Sequence, residues 1–346
     1  MYSYPLPSNN DYFLPIKTSP GLHSMGESLL PYLKMKINSS IDPEKITQIT
    51  IVGNFDRKIG ISSNEKGGKQ FNFMRPSVKI TGQKAEIRCF PGIDYIFHYS
   101  NIYNTFLNLC NYNIDILSVI PSEEQCWDEI CKSSLKDIPK VDTVVMGYVE
   151  GLDFLSNDMA WNGKGNFLYK QIRIKSGKAI LLGCKHTYWG EIAGRIVKFL
   201  SELGVKRVIY SGKLGTLNPS FVPNEVIATG NTSLLPNGEL VTWENFFETV
   251  SNDNIRFGRH VTLPSVLQET TQWVNNTKQE YSFVDPEIGH MAYAAQIAKI
   301  KFSYLHVASD NLSNKYSFDL SNERKNTVIE KRKELMKIIA QEILKL

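Results

Sequence analysis

Several things are scarce in this sequence, and each shortage removes a class of function. Cysteine is one: the 346 residues hold five, Cys89, Cys110, Cys126, Cys131 and Cys184. An odd, scattered set outlines no disulfide framework. Cys126 and Cys131 come nearest to a metal pair, but no second pair or nearby His completes tetrahedral ligation, so no metal is expected. Reduced thiols in a cytoplasmic protein are the simpler reading. Charge of one sign is also scarce. The net charge is +4 and the basic residues are interleaved with acids, which argues against a nucleic-acid partner. No apolar run reaches the ~18–20 residues of a membrane span. The opening "MYSYPLPSNNDYFLPIK" lacks the basic start and apolar centre of a signal peptide. No repeat or low-complexity tract is visible. With 42% hydrophobic and 21% charged residues, the composition is that of an ordinary globular protein.

The chain is long for one domain and short for two. Residues 1–45 are rich in Pro, Ser and Asn around the apolar patch "SLLPYLKMKI" and read as an extension wrapping the surface. The body is expected to span 46–346. It opens with the β-branched run "ITQITIVGNFDRKIG", a buried strand entering a glycine turn. Strand candidates "SVKIT", "AEIRCF", "IDILSVI", "TVVMGYV", "FLYKQIRI" and "AILLGC" follow, and the order within 91–178 is hard to read. Beyond residue 180 the pattern clears. "WGEIAGRIVKFLSELG" predicts a helix with Ile192, Ile196, Phe199 and Leu200 on one face and Gly204 as its stop. "KRVIYSG", "EVIATGN" and "FSYLHVASD" read as strands, "DPEIGHMAYAAQIAKI" and 320–346 as helices. Alternating strands and helices predict an α/β fold with a largely parallel sheet. Ligands of such sheets bind beyond the carboxyl ends of the strands. Gly53–Arg57, Gly183–His186, Ser211–Gly215 and Ser309–Asn311 all fall there.

Each of these stretches has a plain structural reading beside a functional one. The turns at 183–186 and 211–215 free backbone N–H groups, and Lys185, His186 and Lys213 add positive charge, as an anion site would. Glycines also simply punctuate turns, and surface lysines are common. Asp285 can cap a helix whose first residue is Pro286 and whose first turn carries Glu287. Ser309 and Asp310 can cap whatever follows their strand.

Taken in order, the motifs resemble those of the nucleoside phosphorylase/nucleosidase superfamily. "GCKHTYWG" is similar to the family loop G-R-x-H-x-Y-x-G, matching His186 and Tyr188, with Cys184 in place of the arginine and Lys185 beside it. "SGKLGTLNPSFVPNEVI" resembles the glycine-rich phosphate loop followed by L-N-P-x-F and a strand. "VDPE" occupies the place of V-E-M-E, and "ASDN" that of a strand ending S-D. "IVGNFDR" resembles the G-D-P-x-R turn after the first strand, matching Gly53 and Arg57.

The resemblance implies a three-layer α/β/α domain around a mixed, largely parallel twisted sheet, usually in a homo-oligomer. It implies cleavage of the N-glycosidic bond of a purine nucleoside or related N-riboside by phosphorolysis, with phosphate as a possible co-substrate and no other cofactor. The alternatives are a hydrolytic nucleosidase acting on a nucleoside or nucleotide and a non-catalytic nucleoside-binding homologue. Glu287 would hold the ribose hydroxyls, and Asp310 would protonate or hydrogen-bond the leaving base. His186, Tyr188, Asp285, Pro286, Ser309 and Val266 would line the substrate. Gly53, Arg57, Lys185, Gly212 and Lys213 would bind phosphate or the 5′ end of the sugar. Some positions depart from the family. Lys213 replaces a phosphate-binding serine, Pro286 a methionine under the ribose, and Val266 a base-stacking aromatic. The stretch from Gly53 to Gly183 is roughly twice the family's length, so an insertion is expected around 91–150. Trp127, Trp161 and Tyr169 could stack on substrate from there, or pack in the core.

Overall fold

The computed structural model describes residues 15–54, 69–156, 159–315 and 325–346. Two sheets share the chain. A 4-stranded sheet of order β2-β3-β1-β4 takes β1 (Gln48–Val52), β2 (Ser77–Thr81), β3 (Lys84–Arg88) and β4 (Asp115–Val119). The 11-stranded sheet begins with β5 (Thr143–Gly147), β6 (Phe167–Ile174), β7 (Gly177–Cys184) and β8 (Arg207–Thr216). It continues with the short strands β9 (Ile227–Thr229), β10 (Thr232–Leu234), β11 (Leu240–Thr242), β12 (Ile255–Phe257), β13 (His260–Thr262) and β14 (Phe283–Asp285), and ends with β15 (Lys301–Asn311). The helices are α1 (Leu29–Lys36), α2 (Ile93–Leu109), α3 (Glu123–Lys132), α4 (Glu191–Glu202), α5 (Thr271–Thr277), α6 (Ile288–Ala298) and α7 (Asn326–Leu344).

The fold is α/β, with mixed, largely parallel sheets flanked by helices. Successive side chains of a strand face opposite sides of its sheet. Val144, Met146, Ile180, Leu182, Val208 and Tyr210 accordingly pack with Ile192, Ile196 and Leu200 of α4 and Ile288, Met291 and Ala295 of α6. Val145, Leu181, Ile209, Leu305 and Val307 face the other way, onto Leu335, Met336, Ile339 and Ile343 of α7. Helix α4 matches its expected face, and Gly204 follows it with φ +89°. α6 begins at Ile288, after Pro286. Asp285, still in β14, nevertheless accepts the backbone N–H groups of Glu287 and Ile288, so the capping role falls to it as expected.

The strand "ITIV" lies in the small sheet, where β1 is central and parallel to both β3 and β4. The segment 91–150 is split, because α2 and β4 complete the small sheet's layer while β5 lies between β7 and β8 of the large one. The segment before residue 46 also does more than wrap. The His23–Thr270 bridge and the Ser24 N–H to Glu269 carbonyl bond, 2.9 Å, tie it to the body.

The two parts are joined by carboxylates. Glu191, at the start of α4, accepts the backbone N–H groups of Ile93 and Asp94 at the start of α2. In return Asp94 Oδ2 accepts the Glu191 N–H at 3.1 Å. Each acid satisfies donors that a helix start leaves open, but on the other helix. Asp94 also meets His290 Nε2 of α6 at 3.0 Å, and Arg195 of α4 pairs with Glu123 of α3 at 2.8 Å. The approach needs Gly190, whose φ is +61°, since a Cβ there would lie 2.4 Å from the Asp94 carboxyl.

Burial and the neighbouring Asp94 push the Glu191 carboxyl up to about 8 from 4.5. The folded chain therefore holds this proton more tightly than the unfolded one, and stability should fall as pH rises from about 4.5 to about 8, then level off. In a pH series of thermal melts, Glu191→Gln should flatten that decline. Glu191→Ala, which strands two buried N–H groups, should cost about 2–4 kcal/mol.

Candidate active site

β8 forks. Along one edge it runs parallel with β15 for its whole length. Along the other it pairs first with β5, from Arg207 to Ser211, and then with antiparallel β14 at Gly215 and Thr216. Between Ser211 and Gly215 these two partners diverge, and the strand's surface opens there into a cleft of about 790 Å³. Such a volume suits a small-molecule site.

The fork explains why distant residues meet. Val284 and Asp310 lie on opposite sides of Gly215, one paired through β14 and the other through β15. Glu287 follows β14 by two residues, so it and Asp310 line the same cleft. A Cβ at Gly215 would lie 2.6 Å from Leu312 Cδ1 and 3.3 Å from Asp310 Oδ2, so a larger residue there would crowd both. Tyr210 Oη donates to Glu287 Oε2 at 3.4 Å. Ser309 Oγ donates to Asp310 Oδ1 at 2.7 Å.

Asp285 sits beneath the cleft. Burial works to raise its carboxyl, but the charge and hydrogen bond of His260, 3.1 Å away, and the charge of His306 hold it below the ordinary carboxylate range. Burial holds His306 down to about 4. Burial, and then the nearby Glu287 charge, keep the Tyr210 hydroxyl well above its usual value, so it serves as a donor.

Tyr188, Asp285, Pro286, Ser309, Val266, Gly212 and Lys213 all line this cleft with the two acids. Three expected residues do not. His186 is fully buried and stacked on Phe90 at 4.0 Å, with Phe167 edge-on to it, so its ring belongs to the core. Lys185 offers its backbone carbonyl to Phe73 and Met74 and is not among the lining residues. Gly53 sits at the end of β1 against Pro121 and Ile96, in the small sheet. Arg57 lies outside the described residues. Trp127 packs on Phe199 and Trp161 on Phe71, while Tyr169 is held in β6, so none of these three lines the cleft.

Other residues supply what those do not. Lys69, Arg75, Tyr148 and Glu150 line the cleft beside Lys213. Arg75 is buried and bonds Asn72 and Thr187. Burial pushes the Lys69 amine down, Glu150 pulls it back, and the charges of Arg75 and Arg332 depress it further. A smaller hollow of about 230 Å³ shares Lys69 and Lys213 and reaches Arg332 and Lys333. The aromatic wall comes from α2 and the loop before α4. Trp189 stacks on His98 at 4.1 Å and donates to the Pro264 carbonyl, and Tyr95 meets Tyr99 edge-on. Met25, Tyr32 and Met35 close the mouth from the N-terminal segment. Glu269, a buried carboxyl, also faces the cleft.

No protein-family model matches this chain. A curated relative, "Oxidoreductase cns1" of Cordyceps militaris, is 23% identical over 257 residues, which cover 65% of this chain and 32% of that protein. The chain therefore spans about a third of the length of the curated relative it matches. Among solved structures, it is similar to a 5′-methylthioadenosine/S-adenosylhomocysteine nucleosidase of Streptococcus pneumoniae, at TM-score 0.46 and 14% identity, over 59% of this chain and 99% of that one. It is also similar to a purine nucleoside phosphorylase of Toxoplasma gondii, at TM-score 0.44 and 10% identity, over 61% and 92%. A futalosine hydrolase mutant of Helicobacter pylori gives TM-score 0.46 and 13% identity over 59% and 98%.

Asp285→Ala would strand two α6 N–H groups and leave His260 without its buried partner. Chemical denaturation should show a loss of about 3–5 kcal/mol, larger than any surface substitution gives.

Proposed function

We propose that this cleft cleaves the N-glycosidic bond of a nucleoside or related N-riboside, with phosphate as the attacking group. The observation that carries the reading is the convergence of Glu287 and Asp310 on one cleft that also holds Lys69, Arg75 and Lys213. The ordered motifs that resemble the phosphorylase/nucleosidase superfamily support it.

Breaking such a bond builds positive charge on the sugar and negative charge on the base. The Glu287 carboxylate, steadied by Tyr210, favours the first and can accept hydrogen bonds from ribose hydroxyls. The carboxyl at Asp310 faces the departing base and gives it a polar partner as the bond breaks. Lys213, Lys69 and Arg75 offset the charge of an attacking phosphate and hold it in place. Val266 and the aromatic wall shield the reacting atoms from water.

Hydrolysis is the second reading, because the same cations could hold a 5′-phosphate while water attacks. Chromatography of adenosine, inosine and their 5′-monophosphates, with and without phosphate, separates the two: ribose 1-phosphate marks phosphorolysis and free ribose marks hydrolysis. Asp310→Asn should lower turnover by about 10²-fold or more. Lys213→Met should raise the KM for phosphate with a smaller effect on the KM for nucleoside. A wild-type protein that cleaves none of these compounds, while binding them, would instead mark a non-catalytic nucleoside-binding protein.

A further inference from the structure

Glu269 is a buried acid of the cleft that the proposed chemistry leaves unused. It follows the short turn Val266–Gln268, which Ser265 caps. Its backbone carbonyl is held by the Ser24 N–H, and the Thr271 N–H bonds the Leu22 carbonyl next door. The backbone at Glu269 is therefore held by the N-terminal segment. It is 8% exposed, and that exposure is toward the cleft it lines. Among the described residues its carboxyl has no hydrogen-bond partner. An ionised carboxylate is not kept in such a place, because burial without donors costs several kcal/mol, and a neutral acid is the form that persists.

Asp310 stands in the opposite situation. It is only half-buried, and Ser309 Oγ donates to its Oδ1. The two acids interact: burial first, and then the Asp310 charge, raise the Glu269 carboxyl well above its ordinary range. Among the described residues, Lys315 and His98 line the same cleft as Glu269, and His23 lies across the Thr270 bridge. His23 is held down by burial, its Nε2 on the Val266 carbonyl, and His98 Nδ1 is engaged by Ser265 Oγ. Two carboxyl groups whose surroundings push them apart divide the acid and base roles of a site between them.

Resting on the N-riboside reading above, we propose that Glu269 is the general acid of the cleft: it holds the proton and gives it to the leaving base, while Asp310 stays ionised and accepts a hydrogen bond from that base. In the step, the C1′–N bond breaks and its electron pair passes to the base. The Glu269 O–H proton moves to a ring nitrogen of the base, and a phosphate oxygen, or a water oxygen that releases a proton to solvent, bonds to C1′. Glu269 is left as a carboxylate and takes a proton from solvent once the base has gone.

The test compares leaving groups. For Glu269→Gln, cleavage of inosine or adenosine should fall by about 10²–10⁴-fold. Cleavage of p-nitrophenyl β-D-ribofuranoside, whose leaving group needs no proton, should stay within about tenfold of wild type. Asp310→Asn should slow nucleoside cleavage while leaving its alkaline limb in place. The alkaline limb of kcat/KM for inosine, set by loss of the Glu269 proton, should vanish in Glu269→Gln. An equal loss on both substrates, or no loss on either, overturns the proposal, as does leaving-group dependence confined to Asp310→Asn. If the wild type cleaves no riboside, the N-riboside reading fails by itself, and carboxyl ¹³C NMR of the intact protein tests the proton's location. The resonance missing from Glu269→Gln should report a protonated acid at pH 7. Titration near the ordinary Glu value of about 4.3 overturns the proposal.

Discussion

The reciprocal capping of α2 and α4 is the constraint on which the rest of this structure depends. Asp94 and Glu191 each satisfy backbone donors of the other's helix, fully buried, and neither can do so unless both helix starts lie within hydrogen-bond reach. The arrangement sets where the small-sheet part sits on the large sheet. It thereby sets the aromatic wall, because Tyr95, His98 and Tyr99 leave α2 within two turns of Asp94, and Trp189 precedes Glu191 by two residues. Two acids held this closely in the core carry a desolvation cost that only donors and cations offset. Here the helix N–H groups, His290 and Arg195 supply the offset.

The second determinant is the fork in β8. A strand that exchanges one partner for another half-way along leaves a stretch of its own surface uncovered, and side chains from three strand ends gather at the gap. Glycines at 147, 212 and 215 keep it passable, since a Cβ at each would strike Ser211 O, His306 Nε2 or Leu312. The chemistry then follows from unequal surroundings. Asp285 is ionised and locked under the floor, Asp310 accepts a hydrogen bond at the rim, and Glu269 is buried with no donor among the described residues.

The legible parts of the chain were those in which one face of an element does one job. α4 shows its apolar stripe plainly, and β5, β7, β8 and β15 read as buried runs because helices cover both faces of their sheet. α2 was not legible. "IDYIFHYSNIYNTFLNL" is rich in aromatic and β-branched residues of low helix propensity and is buried on nearly every side, so no polar stripe marks its period. The three-residue strands β10–β14 are too short to carry a pattern of their own. At the site, Glu287 and Asp310 were readable from their motifs, and both line the cleft. His186 was read from the same kind of motif, but its ring turned into the core because Phe90 and Phe167 offered it a stacked, dry position.

By itself, then, the sequence determined the α/β class, the flanking helices and the two acids near the ends of β14 and β15, because periodicity and local turns are short-range properties. Only the tertiary structure decided that β1 belongs to a second sheet, that the N-terminal segment walls the cleft, and that Lys69, Arg75 and Glu269 face into it. Those outcomes depend on which surfaces meet across more than a hundred residues of chain, and no local pattern encodes the dielectric or the hydrogen-bond partners that a side chain finds on arrival.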